Sequence, residues 1–318
     1  MTLLTHHLVF TARATTALEL DAQAGSSVRG ALVGALWGRF CANKAAPSCA
    51  ACPLIGACPV AALIAPLRDD PSEGGDQRPR PYVVQPPPGG ALRPGDELAF
   101  GLRLFGSAAV LFPYVVMAAL GLEQSGLGRP LRANGGRRGQ LRIERIEALH
   151  PLSGARQTLA ERGQMLAHTP GLPVSAADVR ACASALPPDH LTLRLRTPLR
   201  LIDDGRLVKR LTLRPLLQRL LRRLDDLCAA YGERLPGLDT PRLLALAEQA
   251  RVADDQTRWV DVVSSSSRLG ARTPIGGLVG QITFAGDLAD LREPLLWGSL
   301  VHIGKNAVKG DGWVEVGG

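Results

Sequence analysis

An α+β fold with two similar halves is expected for this chain from three observations. Strand-like alternation and helix-like apolar stripes follow one another twice in the order strand, helix, strand, strand, helix, strand. Leu191, Leu193 and Leu195 share one strand face, while Leu213, Leu216, Leu217, Leu220, Leu221 and Leu224 share one helix face. The 318 residues, 46% of them hydrophobic, suffice for two compact domains. The repeated order is the ferredoxin-like one. Tandem ferredoxin-like domains are therefore expected at residues 1–149 and 190–318, with a linker region at 150–189.

Leu3 to Arg13 alternates and reads as the first strand. His6 and His7 then point to opposite faces, so one of them is expected to be accessible. Ser26 to Cys41 reads as a helix with a serine cap and a core face of Val28, Leu32, Leu36 and Phe40. Its Gly30, Gly34 and Gly38 form a smooth stripe, which predicts close approach by a sheet or a nucleic-acid backbone. A Pro- and Gly-rich loop from Asp69 to Gly90 carries the short extended piece Tyr82–Val84. Leu98–Phe105 alternates as a strand, Leu111–Leu122 is a helix with Pro113 in its first turn, and Gln140–Glu147 is a strand.

The second half runs from strand His190–Thr197 through the leucine-rich helix that ends near Cys228. A short helix from Asp239 to Asp254 follows, then strands Arg258–Val263 and Leu278–Phe284. An apolar helix over Leu291–Val301 and a last strand at Trp313–Val316 close the order.

Between the two sit His302, Gly304, Lys305, Lys309, Gly310 and Gly312. A loop of this composition can bring backbone N–H groups, two ammonium groups and an imidazole to a phosphate. It reads equally as a helix cap followed by a solvated turn.

Cys41, Cys49, Cys52 and Cys58 are spaced C-x7-C-x2-C-x5-C. Four thiolates this close can close a tetrahedral site inserted in the first domain at 41–58, and structural zinc is expected there. An iron–sulfur cluster, favoured by the prolines after Cys52 and Cys58, and free thiols are the other readings.

The formal net charge is +8, and the excess is local. Ten Arg/Lys face three Asp between Asp189 and Arg223, and six Arg face one Glu between Arg129 and Arg145. Two such concentrations point to a polyanion, and arginine suits phosphate forks and base stacking. The candidate RNA contacts are Arg129, Arg132, Arg137, Arg138, Arg194, Arg196, Arg214, Arg219, Arg222 and Arg223. Met1 leads straight into the first alternating segment, and Ala108–Leu122 is too short to span a bilayer, so a cytoplasmic location is expected.

Several segments resemble the CRISPR precursor-RNA processing endoribonucleases of the repeat-associated (RAMP) superfamily. They are Val28-Arg-Gly-Ala-Leu32, Cys49-Ala-Ala-Cys52, Cys58-Pro, Arg80-Pro-Tyr-Val-Val84, Leu278–Gly286 and Val301-His-Ile-Gly-Lys305. After Lys305 the chain keeps the closing glycines and lacks the family's Phe, and Ser264–Arg268 stands where relatives carry Tyr-Ser and Arg-Gln. The resemblance implies binding of CRISPR repeat RNA, with Arg29 and Arg268 joining the contacts. It also implies cleavage without a metal, by attack of a ribose 2′-OH on the adjacent phosphate to leave a 2′,3′-cyclic phosphate. His302 with Lys305 is the leading pair for that chemistry, and His6 or His7 is the competing donor. The alternative it implies is a non-catalytic subunit that holds CRISPR RNA beside other effector subunits.

Overall fold

In a computed structural model of the chain, residues 3–67, 78–164, 168–232, 238–266 and 271–318 are described. They divide into two compact units, His6–Pro173 on one side and Met1–Thr5 with Val174–Gly318 on the other.

The His6–Pro173 unit is built on a five-stranded sheet. Strand Thr5–Ala14 lies at its centre, flanked by Glu97–Phe105 and then Tyr82–Gln85 on one side. Leu141–Leu149 and then Arg156–Glu161 lie on the other side. Leu8, Phe10, Ala12 and Ala14 are buried at every second position, and Phe10 stacks on Phe100 with centroids 5.0 Å apart. Helix Ala24–Phe40 buries Val28, Leu32 and Leu36 and packs on helix Phe112–Leu120. Gly30, Gly34 and Gly38 do not meet a sheet, because no protein atom lies within 4 Å of a Cβ placed on any of them.

The helical stretch Gly106–Ser125 has a mean hydropathy of 1.5 and is long and apolar enough to cross a membrane on those two measures alone. It consists of a 3₁₀ turn, Gly106–Leu111, and two helices, Phe112–Leu120 and Leu122–Ser125. Phe112, Val115, Val116, Ala118 and Ala119 are buried in the unit.

The second unit has the sheet order Arg251–Asp255, Gly277–Ala285, His190–Leu199, Val314–Gly317, and Arg258–Val260 also pairs with Gly277–Ala285. All these pairs are antiparallel. Leu191, Leu193 and Leu195 are buried, and Arg194 and Arg196 stand exposed on the opposite face. Helix Leu213–Tyr231 buries its leucine stripe and packs against helix Arg292–Val301. Trp297 of the latter helix is completely buried.

Two expectations about local structure are corrected. The helix from Asp239 stops at Gln249, and Arg251–Asp255 becomes a strand paired with Gly277–Ala285. Pairing with an open sheet edge outweighs the helical pattern there. The stretch 150–189, expected as a linker region with an extended piece at Arg156–Leu159, carries a longer strand there and a helix besides. Arg156–Glu161 extends the first sheet, and Ala176–Ser184 is a helix entered through a reciprocal Ser175–Asp178 capping box. A hairpin of Val263–Ser266 and Ala271–Pro274 flanks the position of Arg268, which lies outside the described residues, as do 68–77 of the Pro/Gly loop.

Leu193 is central in its strand and has no exposed surface. Leu193→Ala is expected to cost about 2–5 kcal/mol in urea unfolding, whereas a loss under 1 kcal/mol would contradict the packing described.

Candidate nucleic-acid interface

The terminal loop is held by the end of the central strand His190–Leu199. The Gly312 amide donates to the Pro198 carbonyl at 3.0 Å, and the Lys305 amide donates to the Arg200 carbonyl at 3.0 Å. Ile303 N–H closes the loop on the Gly312 carbonyl at 2.9 Å. Thr197 Oγ1 donates to the Gly310 carbonyl at 2.7 Å and accepts from the Trp313 amide at 2.9 Å. Each of these amides is therefore spent inside the unit and none of them is offered to a ligand.

The glycines have the same origin. A Cβ on Gly312, whose φ is +67°, would run into the Ile303 carbonyl, and one on Gly304 would sit 2.5 Å from the Arg200 carbonyl oxygen. Close approach of the loop to its own base requires them.

His302 is 0% exposed and caps helix Arg292–Val301 with φ 60° and ψ 153°. A non-glycine residue holds such a conformation only where its surroundings enforce it. The ring stacks on Trp313 at 6.4 Å and an interplanar angle of 9°, and Nδ1 lies 3.3 Å from the Asp311 carbonyl oxygen. It lines the inside of the loop. Lys305, three residues on, is exposed. The sequence pairing of His302 with Lys305 thus separates into a buried ring and a surface ammonium.

His6 and His7 are 9% and 3% exposed, so neither is the accessible strand histidine that alternation suggested. Burial pulls the His6 pKa below its ordinary value, which keeps that ring neutral at pH 7.

The arginines of the sequence cluster occupy two surfaces. Arg194 and Arg196 lie on the sheet face opposite the leucines. Arg214, Arg219 and Arg222 belong to the outer side of helix Leu213–Tyr231, whose leucines are buried. Arg196 is 3.6 Å from Glu315 and rests 5.8 Å from the Trp313 ring centroid, while Arg214 is 3.5 Å from Glu248. Arg223 turns inward. Its Nε donates to the Val301 carbonyl at 2.8 Å, and burial pushes its pKa down to about 10, opposed by Asp226. It secures the C-terminus of helix Arg292–Val301.

In the other unit Arg129, Arg132, Arg137 and Arg138 are exposed on or beside the ribbon of Leu127–Leu131 and Arg137–Gly139, with Arg129 paired to Glu19. Arg29 lies half-buried beside the Tyr82 phenol.

The expected four-cysteine site is not assembled. Cys41, Cys49, Cys52 and Cys58 are half-buried and not in disulfides, and no group of three His, Cys, Asp or Glu is gathered for a metal among the described residues. Cys58 instead caps helix Pro59–Ile64, accepting from the Ala61 amide at 3.5 Å, and Asn43 Nδ2 lies 3.7 Å from the Cys52 sulfur. Among the described residues this arrangement does not support the expected zinc or iron–sulfur site.

One group the sequence reading missed is Asp311. It is 5% exposed, and burial raises its pKa from 3.8 to about 7, opposed by Lys309 and by a side-chain hydrogen bond from Asn306. An acidic residue between two glycines reads as a turn former, so nothing local announced its burial.

Residues 3–171 match the family model AF_1859_N, described as an N-terminal domain. That match spans more than half of the chain, and the chain belongs to this family. Residues 193–314 match the model described as CRISPR-associated endoribonuclease Cas6. Thermus thermophilus Cas6 is similar in fold at 15% identity and a TM-score of 0.54, over 99% of both chains. A Cas6 product complex gives 18% identity and a TM-score of 0.55 over 98% of this chain and 99% of that one. A partial Cas6-RT-Cas1–Cas2 complex gives 13% identity and a TM-score of 0.58, over 99% of this chain and 46% of that one. No curated protein matches the sequence. Residues 193–314 are thus similar to the Cas6 endoribonuclease family, and the solved Cas6 structures share the fold of the whole chain.

The raised Asp311 pKa makes a signed prediction. Its contribution to stability is complete below the ordinary value of 3.8 and declines as pH rises to about 7. Asp311→Asn should therefore gain on the wild type between pH 4 and pH 7, by on the order of 4 kcal/mol at most, with no further gain above. Parallel melting curves at every pH would show that Asp311 is not buried as a neutral acid.

Proposed function

We propose that the protein binds CRISPR repeat RNA and processes precursor RNA as an endoribonuclease. The observation that carries this reading is the match of residues 193–314 to the Cas6 model, on a unit that bears the resembling His-x-Gly-Lys segment. Both units are read as ferredoxin-like domains, since each five-stranded sheet contains four strands in the spatial order two, three, one, four. The site of action is taken to be the cytoplasm.

The proposed chemistry is metal-independent. A ribose 2′-OH attacks the adjacent phosphorus and the 5′-oxygen leaves with a proton, giving a 2′,3′-cyclic phosphate and a 5′-OH. Lys305 is assigned the neutralisation of charge growing on the non-bridging oxygens, a role its exposure supports. His302 is assigned a positioning role beneath it. His6 and His7 would enter only where RNA uncovers the first strand. In-line alignment of the 2′-OH by the exposed arginines and the loop supplies the remaining acceleration.

Burial of His302, His6 and His7 favours a second reading, a non-catalytic subunit that holds CRISPR RNA, alone or with other CRISPR proteins. Single-turnover assays on a repeat-RNA hairpin in excess chelator separate the two. The enzyme reading expects cleavage by the wild type, none with a 2′-deoxy scissile nucleotide, and a tenfold to hundredfold slower rate for Lys305→Ala at unchanged folding. His302→Ala should lower the melting temperature and the rate together. Cleavage of the 2′-deoxy RNA would sink the mechanism. Tight binding without any cutting would install the second reading.

A further inference from the structure

Three elements of the second unit converge at the end of the sheet beside the terminal loop. Strand Arg258–Val260 carries Trp259, whose register partner is Leu278. The end of the central strand carries Arg200, whose carbonyl holds the Lys305 amide. The small hairpin of Ile202–Asp203 and Arg206–Leu207, tied back by the Val208 amide on the Leu201 carbonyl at 3.1 Å, delivers Lys209.

Both cations rest on the indole, Arg200 with Cζ 5.9 Å and Lys209 with Nζ 5.8 Å from the ring centroid. Trp259 is half-buried and Lys209 exposed. The indole N–H donates to Asp261 Oδ1 at 2.9 Å, which fixes the ring plane and leaves its π surface as the part on offer. The Arg200 guanidinium is steadied by donating to the Gly276 carbonyl at 2.9 Å.

The charges around this ring differ from those at three other arginines of the unit. Arg196, Arg214 and Arg242 each have a carboxylate partner. Among the described residues neither Arg200 nor Lys209 is ion-paired; what they hold is an aromatic face. Two unneutralised cations on a fixed aromatic plane match a ligand that has both a flat ring and an adjoining anion. A nucleotide has both.

We infer that Trp259, Arg200 and Lys209 form a subsite for one unpaired nucleotide of the bound RNA. Its base stacks on the indole, and the two cations move from the ring to the flanking phosphates. An unpaired base is required, because a base inside a helix has its faces covered by its neighbours. Lys305, tied to Arg200 through the backbone, then lies next along the strand. This subsite rests on the RNA-binding reading above and goes beyond it by naming where a single-stranded part of the RNA is gripped.

The test uses the full chain and two probes of equal charge, an eight-residue oligoadenylate RNA and an eight-residue abasic ribose-phosphate chain. Wild type should prefer the oligoadenylate by about tenfold, with quenching of tryptophan fluorescence. Trp259→Ala should bring the two affinities within about twofold of each other. Trp259→Phe should keep the preference and lose most of the quenching, and this variant decides the matter if the alanine variant fails to fold. Lys209→Gln should weaken both probes alike and lower the salt slope by about one contact. A folded Trp259→Ala that keeps the full preference, or quenching in Trp259→Phe as deep as in wild type, overturns the subsite. Wild type that binds both probes equally removes the subsite and leaves the RNA-binding reading standing. Wild type that binds neither removes both.

Discussion

The second unit depends on one lock, the hydrogen bonding of the terminal loop to the last residues of the central strand. Pro198 and Arg200 offer carbonyls, Thr197 offers a hydroxyl, and the loop answers with the amides of Gly312, Lys305 and Trp313 and the carbonyl of Gly310. The glycines permit the approach, and His302 fills the space beneath. A segment that from its composition should be mobile becomes a fixed rim, with the Ile303, Lys305, Gly312 and Trp313 amides used within the unit and its lysine left outside. Such a loop meets a phosphate through side-chain charge, and preorganised charge is worth more at a reacting centre than charge that must be gathered.

Burial of the three candidate histidines shapes the chemistry. A buried imidazole neither donates a proton to a leaving oxygen nor accepts one from a 2′-OH it cannot touch. The burden shifts to alignment of the RNA and to ammonium and guanidinium groups. That division makes the proposed reaction sensitive to how the strand is gripped on either side of the scissile bond.

Much of the fold was legible because it rests on periodicity. Leu191, Leu193 and Leu195 announced the buried strand face, and the leucine stripe from Leu213 announced the helix above it. The helix Ala176–Ser184 went unread because its apolar pattern is short, although the Ser175–Asp178 box marks its start. The site was less legible because it rests on direction. Spacing puts Cys49 and Cys52 three residues apart but does not say that the Cys58 sulfur will cap a helix. Alternation says that His6 and His7 face opposite ways, and in this structure both faces of the central strand are covered. Arg194 and Arg222 look like one basic run in sequence; a strand face and a helix back separate them in space.

The account centres on RNA meeting the end of the second sheet, where the locked loop, Lys305 and the Trp259 ring converge. Hydrogen exchange read by mass spectrometry, with and without a repeat-RNA hairpin carrying a single-stranded flank, measures this directly. The expected result is new protection confined mainly to 200–209, 258–262 and 302–313. Protection restricted to the outer side of helix Leu213–Tyr231, or none at the terminal loop, would contradict it.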